Sequence, residues 1–452
     1  MMDAYRTISG ALAAMVVLSG CAATRDAPSC SLAIEHVAVV PMDGERILAD
    51  QTVRIEGDRV LSVQRARAPG PRCARIVDGR GHFLAPGLID AHVHVESDMF
   101  ARVFTGQEAV IPFQDVLFAY LSNGVTGVRV MSGAPDILAF RDNGVALAPR
   151  LMVASPMLSG APPIMPEPIT RVVTDAQAAA AAVDEYADAG YDLIKLRENL
   201  SPEALRAVME AAARRGLPVD GHLPRGGTDA LAMGPRGVAH VDEISLRVDD
   251  TRTAAAWAER LRACRCYVAS TLSVEDNVAA QLRDYDAVAA RPETRFVHPL
   301  MRRALWERAR NPYLAEGQDP AFFEALLETD KEVIRALRDA GVPILAGTDA
   351  LIPMIAPGYS LHDELELLVE AGLTPYQALA SATSTPASLF ARFADAGLVA
   401  QGRRADLVLL ERNPLEDVRA LRQPSAVIVA GVYLDRAQLD QRMEVLAAGY
   451  TD

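Results

Sequence analysis

The sequence predicts an α/β fold in which a (β/α)8 TIM-like barrel is joined to a small β-sandwich domain formed by the N- and C-terminal segments. After Gly87, short apolar segments alternate with long alanine-rich stretches such as 175–189 and 202–215. This alternation is typical of βαβ units with a parallel sheet. Eight strand candidates occur in this region, the number that a closed barrel needs. Strand-like segments bounded by turn residues precede and follow it.

These patterns divide the chain into six predicted regions. They are a signal peptide of the lipoprotein type (1–20), a linker (21–29), the N-terminal portion of the β-sandwich (30–85), the barrel (86–394), the C-terminal portion of the β-sandwich (395–436) and a C-terminal tail (437–452).

The N-terminus predicts export. A short apolar stretch, 8–18, ends at Leu18-Ser19-Gly20-Cys21, which resembles the cleavage site of bacterial lipoproteins. The stretch is too short to span a bilayer as a helix. We expect a periplasmic or cell-envelope lipoprotein that contacts the membrane only through an N-terminal lipid anchor on Cys21. The alternatives are a signal peptide without lipidation and an apolar N-terminus with a chance cysteine.

Export would bring the other cysteines into an oxidising compartment. Cys30 and Cys73 lie in segments predicted as strands of one sheet, so they could form a disulfide. Cys264 and Cys266 are predicted on one face of a strand, which is poor geometry for a disulfide between them.

The short apolar segments define the strands of both predicted domains. The sandwich strands are 33–40, 52–55, 60–63 and 75–77, completed after the barrel by 406–410, 426–429 and 432–433. The barrel strands are 87–95, 124–130, 150–154, 193–197, 218–221, 237–240, 267–272 and 342–347. The proline-rich segment 157–169 has little periodicity, so we expect a loop over the barrel mouth.

Composition limits the partners of the chain. It has 452 residues, 50% of them hydrophobic, and a formal net charge of −14. Nucleic-acid binding requires a basic face toward the phosphates, and no block of basic residues occurs. We therefore expect a small-molecule substrate and no nucleic-acid partner, and a homo-oligomer stays possible.

A pair of histidines ends the first barrel strand. Residues two apart on a strand face the same way, so His92 and His94 can bind one metal ion together. Lys195, His222, His240 and Asp349 also fall at the C-terminal ends of predicted strands, where the functional residues of barrels lie. A lysine within an apolar strand is costly to bury unless it is paired or chemically changed.

Three motifs together resemble the amidohydrolase superfamily. They are Pro86-Gly87-Leu88-Ile89-Asp90-x-His92-x-His94, Gly347-Thr348-Asp349 and Gly402-x-x-Ala405-Asp406-Leu407-Val408. Within the superfamily, the chain is similar to the branch of imidazolonepropionase-related enzymes and Xaa-Pro dipeptidases with a binuclear metal site.

The resemblance implies two divalent metal ions, with zinc as the expected ion. His92, His94 and Asp349 would hold one, His222 and His240 the other, and Lys195, carboxylated by carbon dioxide, would bridge them. A water shared by the two ions would be activated as hydroxide. Asp349 would act as the catalytic base and then as the acid that protonates the leaving nitrogen.

Four residues are candidates for substrate binding. Arg129, Arg197 and Arg225 could each bind a carboxylate, and Tyr267 begins the seventh barrel strand. A surface or packing role is at least as good an explanation for each of them.

The implied function is hydrolysis of a carbon–nitrogen amide bond in a dipeptide or an N-acyl amino acid. A lactone or phosphoester hydrolase could use the same site. A mononuclear deaminase is disfavoured, because such deaminases resemble one another in carrying an acid three residues after the fifth-strand histidine, where this chain has Arg225. A non-catalytic binding lipoprotein is disfavoured because all six metal-ligand positions hold suitable residues.

Overall fold

The computed structural model describes residues 30–106, 110–144, 146–162, 168–224, 229–234, 236–315 and 317–450. The predicted signal peptide, the linker with Cys21, and Arg225 lie outside these residues. Within the described ranges, no helix is long and apolar enough to cross a membrane.

The described residues form a mixed α/β structure. The strands are β1 (Cys30–Val39), β2 (Leu48–Glu56), β3 (Arg59–Arg65), β4 (Cys73–Asp78), β5 (Phe83–Pro86), β6 (Leu88–Val93), β7 (Val125–Val130), β8 (Arg150–Val153), β9 (Met157–Ser159), β10 (Thr170–Val172), β11 (Ile194–Leu196), β12 (Val219–Gly221), β13 (Gly237–Val238), β14 (Tyr267–Ala269), β15 (Ile344–Leu345), β16 (Leu407–Leu410), β17 (Ala426–Val429) and β18 (Val432–Asp435). The α-helices are α1 (Asp98–Thr105), α2 (Phe113–Ser122), α3 (Pro135–Asn143), α4 (Ala176–Ala189), α5 (Pro202–Arg215), α6 (Asp242–Ser245), α7 (Ala254–Ala263), α8 (Leu272–Arg283), α9 (Tyr285–Ala289), α10 (Pro299–Met301), α11 (Pro312–Ala315), α12 (Pro320–Ala340), α13 (Ser360–Glu370), α14 (Pro375–Ser381), α15 (Ser384–Leu389) and α16 (Arg436–Gly449).

One sheet combines segments from both ends of the chain. Its order is β18-β17-β16-β5-β1-β2-β3, and β4 also pairs with β1. The strands predicted for a sandwich are thus connected by hydrogen bonds into a single sheet, because β5 pairs with both β1 and β16. Alternating apolar side chains such as Ile34, Val53 and Leu407 form its buried core.

The other strands are parallel and form two sheets. One has the order β6-β7-β8, and the other β10-β9-β11-β12-β13-β14-β15. Parallel bridges connect the two sheets at both ends, Ala154 with Leu193 and Val93 with Ala350. Each of the eight strand candidates from the sequence contains an observed strand, β6 to β8 and β11 to β15.

Helix boundaries follow the capping residues of the sequence. α4 begins where the Asp175 side chain accepts a hydrogen bond from the Ala178 backbone, and it ends at Gly190 with φ 88°. α5 begins at Ser201, with a proline in its first turn, and ends at Gly216 with φ 68°. The caps satisfy backbone groups that the helix itself leaves free, so these helices start and stop at defined positions.

Three sequence predictions differ from the structure. The predicted loop 157–169 begins with strand β9, which pairs with β10 and β11. The predicted C-terminal tail contains α16, which buries Leu439, Met443 and Leu446. Apolar spacing along a helix explains this burial, since those side chains share one face.

The third difference concerns the cysteines. Cys30 and Cys73 form the expected disulfide, with their Cα atoms 4.4 Å apart on paired strands. Cys264 and Cys266 also form a disulfide, with Cα atoms 5.3 Å apart, contrary to prediction. They lie in the turn between α7 and β14, where Arg265 has a φ of 57°. On a strand, the two side chains would point side by side from the same face. The turn at Arg265 instead brings their sulfur atoms together.

Candidate metal centre

Two histidines and an aspartate converge at the end of the first parallel strand. His92 lies in β6, His94 follows it, and Asp349 lies in the turn after β15. Asp349 Oδ1 is 2.9 Å from His94 Nε2 and 3.3 Å from His92 Nε2. The donor atoms of all three residues lie within 4.8 Å of one another. This arrangement offers three ligands to one cation.

The turn that carries Asp349 is attached to β6 by hydrogen bonds. Asp90 accepts from Thr348 Oγ1 at 2.8 Å and from the Thr348 backbone at 3.1 Å. A Cβ at Gly347 would lie 2.8 Å from the His92 Cβ, so the close approach of the two segments requires glycine. Asp349 itself has a φ of 55°, a conformation rare for residues other than glycine and common at functional sites.

Backbone and side-chain contacts orient the two histidines. His92 Nδ1 is 3.0 Å from the Ala239 carbonyl oxygen, to which it donates, and His94 Nδ1 is 2.6 Å from Ser132 Oγ. A neutral imidazole that donates through Nδ1 keeps a free lone pair on Nε2. Both Nε2 atoms face Asp349, as metal binding requires.

A second group of donors lies beside the first. His222 follows β12, His240 follows β13, and Glu243 lies in α6. Their donor atoms also lie within 4.8 Å of one another. The His240 ring is centred 4.5 Å from the His92 ring and 5.2 Å from the His222 ring, so the two groups are adjacent.

Glu243 is a member of this group that was not predicted from the sequence. Its carboxylate oxygens contact His222 Nδ1 and the Leu223 backbone nitrogen. The only sequence signal was its position three residues after His240. That spacing could not show that the side chain turns toward a histidine on the preceding strand.

Lys195 is buried on β11, and its charge acts on histidines of both groups. Among the described residues, its Nζ atom has no hydrogen-bond partner. Burial lowers the pKa of Lys195 to about 8, against the opposing effect of Asp220, Asp349 and Glu243. An unpartnered buried amine is costly, and the carboxylation of Lys195 stays a prediction.

The electrostatics favour metal-binding forms of the side chains. Burial lowers the pKa of His92, His222 and His240 well below the ordinary value, and the nearby Lys195 acts in the same direction. Burial alone would raise the pKa of Asp349, but His240, His94 and Lys195 hold it below its ordinary value. Neutral imidazoles and an ionised carboxylate are the forms that bind cations.

A cavity of about 320 Å³ opens onto these residues. His94, Lys195, Arg197, His222, His240 and Asp349 line its floor, and its walls are largely apolar, formed by Met157, Ile169, Leu305, Leu351, Ile352 and Pro353, among others. It has the size of a small-molecule site. A larger cavity of about 700 Å³ lies near His362 and Arg422 and contains none of the predicted site residues.

The predicted substrate-binding residues occupy different places. Arg197 lines the cavity, and its Nη1 is 2.7 Å from His222 Nε2. Arg129 and Tyr267 do not line it, which corrects their predicted role. Arg129 is fully buried, 2.6 Å from Asp220 Oδ2, and it donates to the Tyr267 hydroxyl at 3.4 Å. A buried arginine needs these partners, so the group joins the parallel strands β7, β12 and β14. Arg225 lies outside the described residues.

Comparison with protein families identifies the family of the chain. The sequence model of the amidohydrolase family matches residues 83–434. The chain belongs to the amidohydrolase family. This amidohydrolase is 26% identical over 232 residues to ochratoxinase from Aspergillus niger, covering 50% of this chain and 39% of that protein. It therefore spans less than half of that relative.

Other relatives cover more of the amidohydrolase. It is 26% identical over 375 residues to imidazolonepropionase from Chromobacterium violaceum, covering 74% of this chain and 78% of that protein. The solved structure of bottromycin amidohydrolase is 25% identical with a TM-score of 0.72, covering 94% of this chain and 91% of that one.

Proposed function

We propose that this chain is a metal-dependent hydrolase that cleaves the carbon–nitrogen amide bond of a dipeptide or an N-acyl amino acid. One observation carries the proposal: two adjacent groups of metal-ligand side chains and a buried lysine converge on one small-molecule cavity. Membership of the amidohydrolase family supports this class of reaction, and so does the similarity to the solved structure of bottromycin amidohydrolase.

The parallel strands support a closed barrel. Bridges at both ends of the two sheets are consistent with a single (β/α)8 barrel made of β6 to β8 and β11 to β15. The six predicted ligands all lie within or just after these strands, and the C-terminal ends of barrel strands meet at one face. The proposed site is the mouth of this barrel.

The residues fit a metal centre. His92, His94 and Asp349 would hold one divalent cation, and His222 and His240 a second. Zinc suits imidazole and carboxylate ligands, as do manganese, iron and cobalt. Bound cations would activate water and polarise the scissile carbonyl.

The protein side chains would supply the remaining chemistry. Asp349 faces the cavity and would accept a proton from the attacking water, then return it to the leaving nitrogen. The apolar walls would hold the substrate and exclude bulk water. Lys195 would act as a bridging carboxylate after its neutral amine forms an N–C bond to carbon dioxide and releases one proton.

Metal analysis and a substrate panel test the proposal. We would measure metal content per chain by elemental analysis, beside turnover of dipeptides, N-acyl amino acids, lactones, phosphoesters and aminopurines. Bound metal with amide cleavage supports the proposal. If only lactones, phosphoesters or aminopurines are turned over, the proposed amide hydrolysis is wrong, but the proposed metal centre stands. No metal and no turnover after zinc or manganese is added would favour a binding protein.

Lys195→Ala provides a sharper form of this test. The chain has two lysines, and Lys331 on α12 forms surface ion pairs with Glu328 and Glu370, so Lys331→Ala is the matched control. We expect Lys195→Ala to lose metal and activity, with partial recovery on addition of short-chain carboxylic acids. Full activity of Lys195→Ala would refute the bridging role.

A further inference from the structure

Arg197 and His222 form a contact that restricts the second group of ligands. The Arg197 Nη1 lies 2.7 Å from His222 Nε2. A guanidinium has five N–H donors and no acceptor, so Nε2 must accept this hydrogen bond with its lone pair. His222 Nδ1 then carries the ring proton and donates it to Glu243. Both nitrogens of the ring are therefore engaged by protein groups.

A metal ion needs one of these nitrogens as a lone-pair donor. If the ion binds Nε2, the Arg197 guanidinium must leave that position. If the ion binds Nδ1, the ring proton must move to Nε2, which then has no acceptor in Arg197. The Arg197–His222 hydrogen bond has to open in either case, because a neutral imidazole has one free lone pair.

Arg197 is anchored where it stands. Its Nε lies 3.1 Å from Glu198 Oε2, and its Nη2 donates to Glu198 Oε1 at 3.3 Å. Its backbone nitrogen donates to the Leu158 carbonyl at 2.9 Å. The side chain is 16% exposed, so the charge is only partly screened by water. Displacing it costs both this ion pair and the bond to His222.

The first group of ligands has no such competitor. His92 and His94 use Nδ1 for Ala239 and Ser132, and both Nε2 atoms face Asp349. Within the ranges that the structure describes, no hydrogen bond from a guanidinium reaches these three side chains. The two groups therefore differ in how readily they can accept a cation.

We propose that Arg197 competes with a divalent cation for His222, so that the chain holds one cation tightly at His92, His94 and Asp349 and a second one only weakly. This rests on the metal centre proposed above. In the one-metal form, the guanidinium supplies a positive charge at the floor of the same cavity. Metal stoichiometry then depends on a residue that is not itself a ligand.

Zinc titration of metal-free protein tests the competition directly. We would compare wild type with Arg197→Met and Arg197→Gln, which remove the charge in two different shapes, and with Arg206→Met, which removes an exposed arginine from α5. Bound zinc is measured by elemental analysis at buffered free zinc concentrations, without substrate. Circular dichroism establishes that each variant is folded.

We expect wild type and Arg206→Met to bind the first zinc tightly and the second at least about tenfold more weakly. Both Arg197 variants should bind the second zinc at least about tenfold more tightly than wild type. The repulsion between the guanidinium charge and a cation at His222 weakens binding by about that factor or more. Their affinity for the first zinc should rise by less than their affinity for the second, since Arg197 makes a hydrogen bond to His222 and none, in the described residues, to His92, His94 or Asp349.

Two results would overturn the competition: equal affinity for both zinc ions in wild type, or unchanged or weaker second binding in both folded Arg197 variants. A gain in affinity distinguishes competition from a structural role of Arg197, whose loss could only weaken binding. Failure of the first zinc to bind would instead contradict the proposed metal centre. The two hypotheses therefore fail in different measurements.

Discussion

At the scale of single residues, the spacing of polar side chains along the sequence predicts most of the candidate metal centre. His92 and His94 are two apart on a strand, so their shared direction follows from local geometry. Lys195 was conspicuous because a charged residue interrupts an apolar strand. Glu243 gave no comparable signal, since its contact with His222 crosses from one strand to the helix after the next.

The role of Asp349 can be tested by removing its basicity while keeping its shape. Asp349→Asn should retain most of the bound metal, because two imidazoles of the first group remain. Turnover should fall by about 10²- to 10⁴-fold, the usual contribution of a general base. Elemental analysis and initial rates on the best amide substrate measure both effects.

Asp339→Asn is the control for this substitution, because Asp339 is an exposed aspartate on α12. It should keep both metal and turnover. If Asp349→Asn turns over the substrate as fast as this control, another group must act as the base.

At the scale of secondary-structure elements, a buried cluster of polar and charged side chains joins three of the parallel strands. Arg129 on β7 pairs with Asp220 on β12 and contacts Tyr267 on β14. Gly237 on β13 allows this, since a Cβ there would lie 2.1 Å from Asp220 Oδ2. The sequence suggested Arg129 and Tyr267 as substrate ligands, and only strand packing shows that they face each other.

Asp220→Asn should destabilise the fold strongly. It leaves the Arg129 charge buried without a counter-ion, which costs about 3–5 kcal/mol in the free energy of unfolding. Urea unfolding, followed by circular dichroism, measures the change.

Asp184→Asn is the matched control, because Asp184 forms a surface ion pair with Arg215 at 3.3 Å. An exposed pair of this kind contributes about 0–1 kcal/mol. Equal effects of the two substitutions would contradict the structural role of the Arg129–Asp220 pair.

At the scale of the whole molecule, the first five and the last three strands that the structure describes form one sheet, and the parallel strands lie between them in the chain. β5 pairs with β16 although more than 300 residues separate them. The disulfide between Cys30 and Cys73 joins two strands of that sheet. Export and lipidation at Cys21 remain a proposal about the whole protein, and so does self-association into a homo-oligomer.

The proposed anchor has a direct test in a bacterial host. Wild-type protein should collect in the membrane fraction and incorporate labelled palmitate, because a thioether-linked lipid binds the bilayer. Cys21→Ala should abolish both, while Ser29→Ala, a change in the predicted linker, should abolish neither. Wild-type protein without label in the soluble fraction would argue against lipidation.

Sequence patterns predicted the mixed α/β class, eight of the ten parallel strands that the structure describes, and every side chain of the candidate centre except Glu243. These features depend on local periodicity and on residues at strand ends, which are written along the chain. Three contacts became visible only in the folded structure: Cys264 meets Cys266, Arg129 faces Asp220, and Arg197 and Glu243 engage both nitrogens of His222. Such contacts join side chains from separate elements or through a turn, so their geometry depends on packing that no local pattern records.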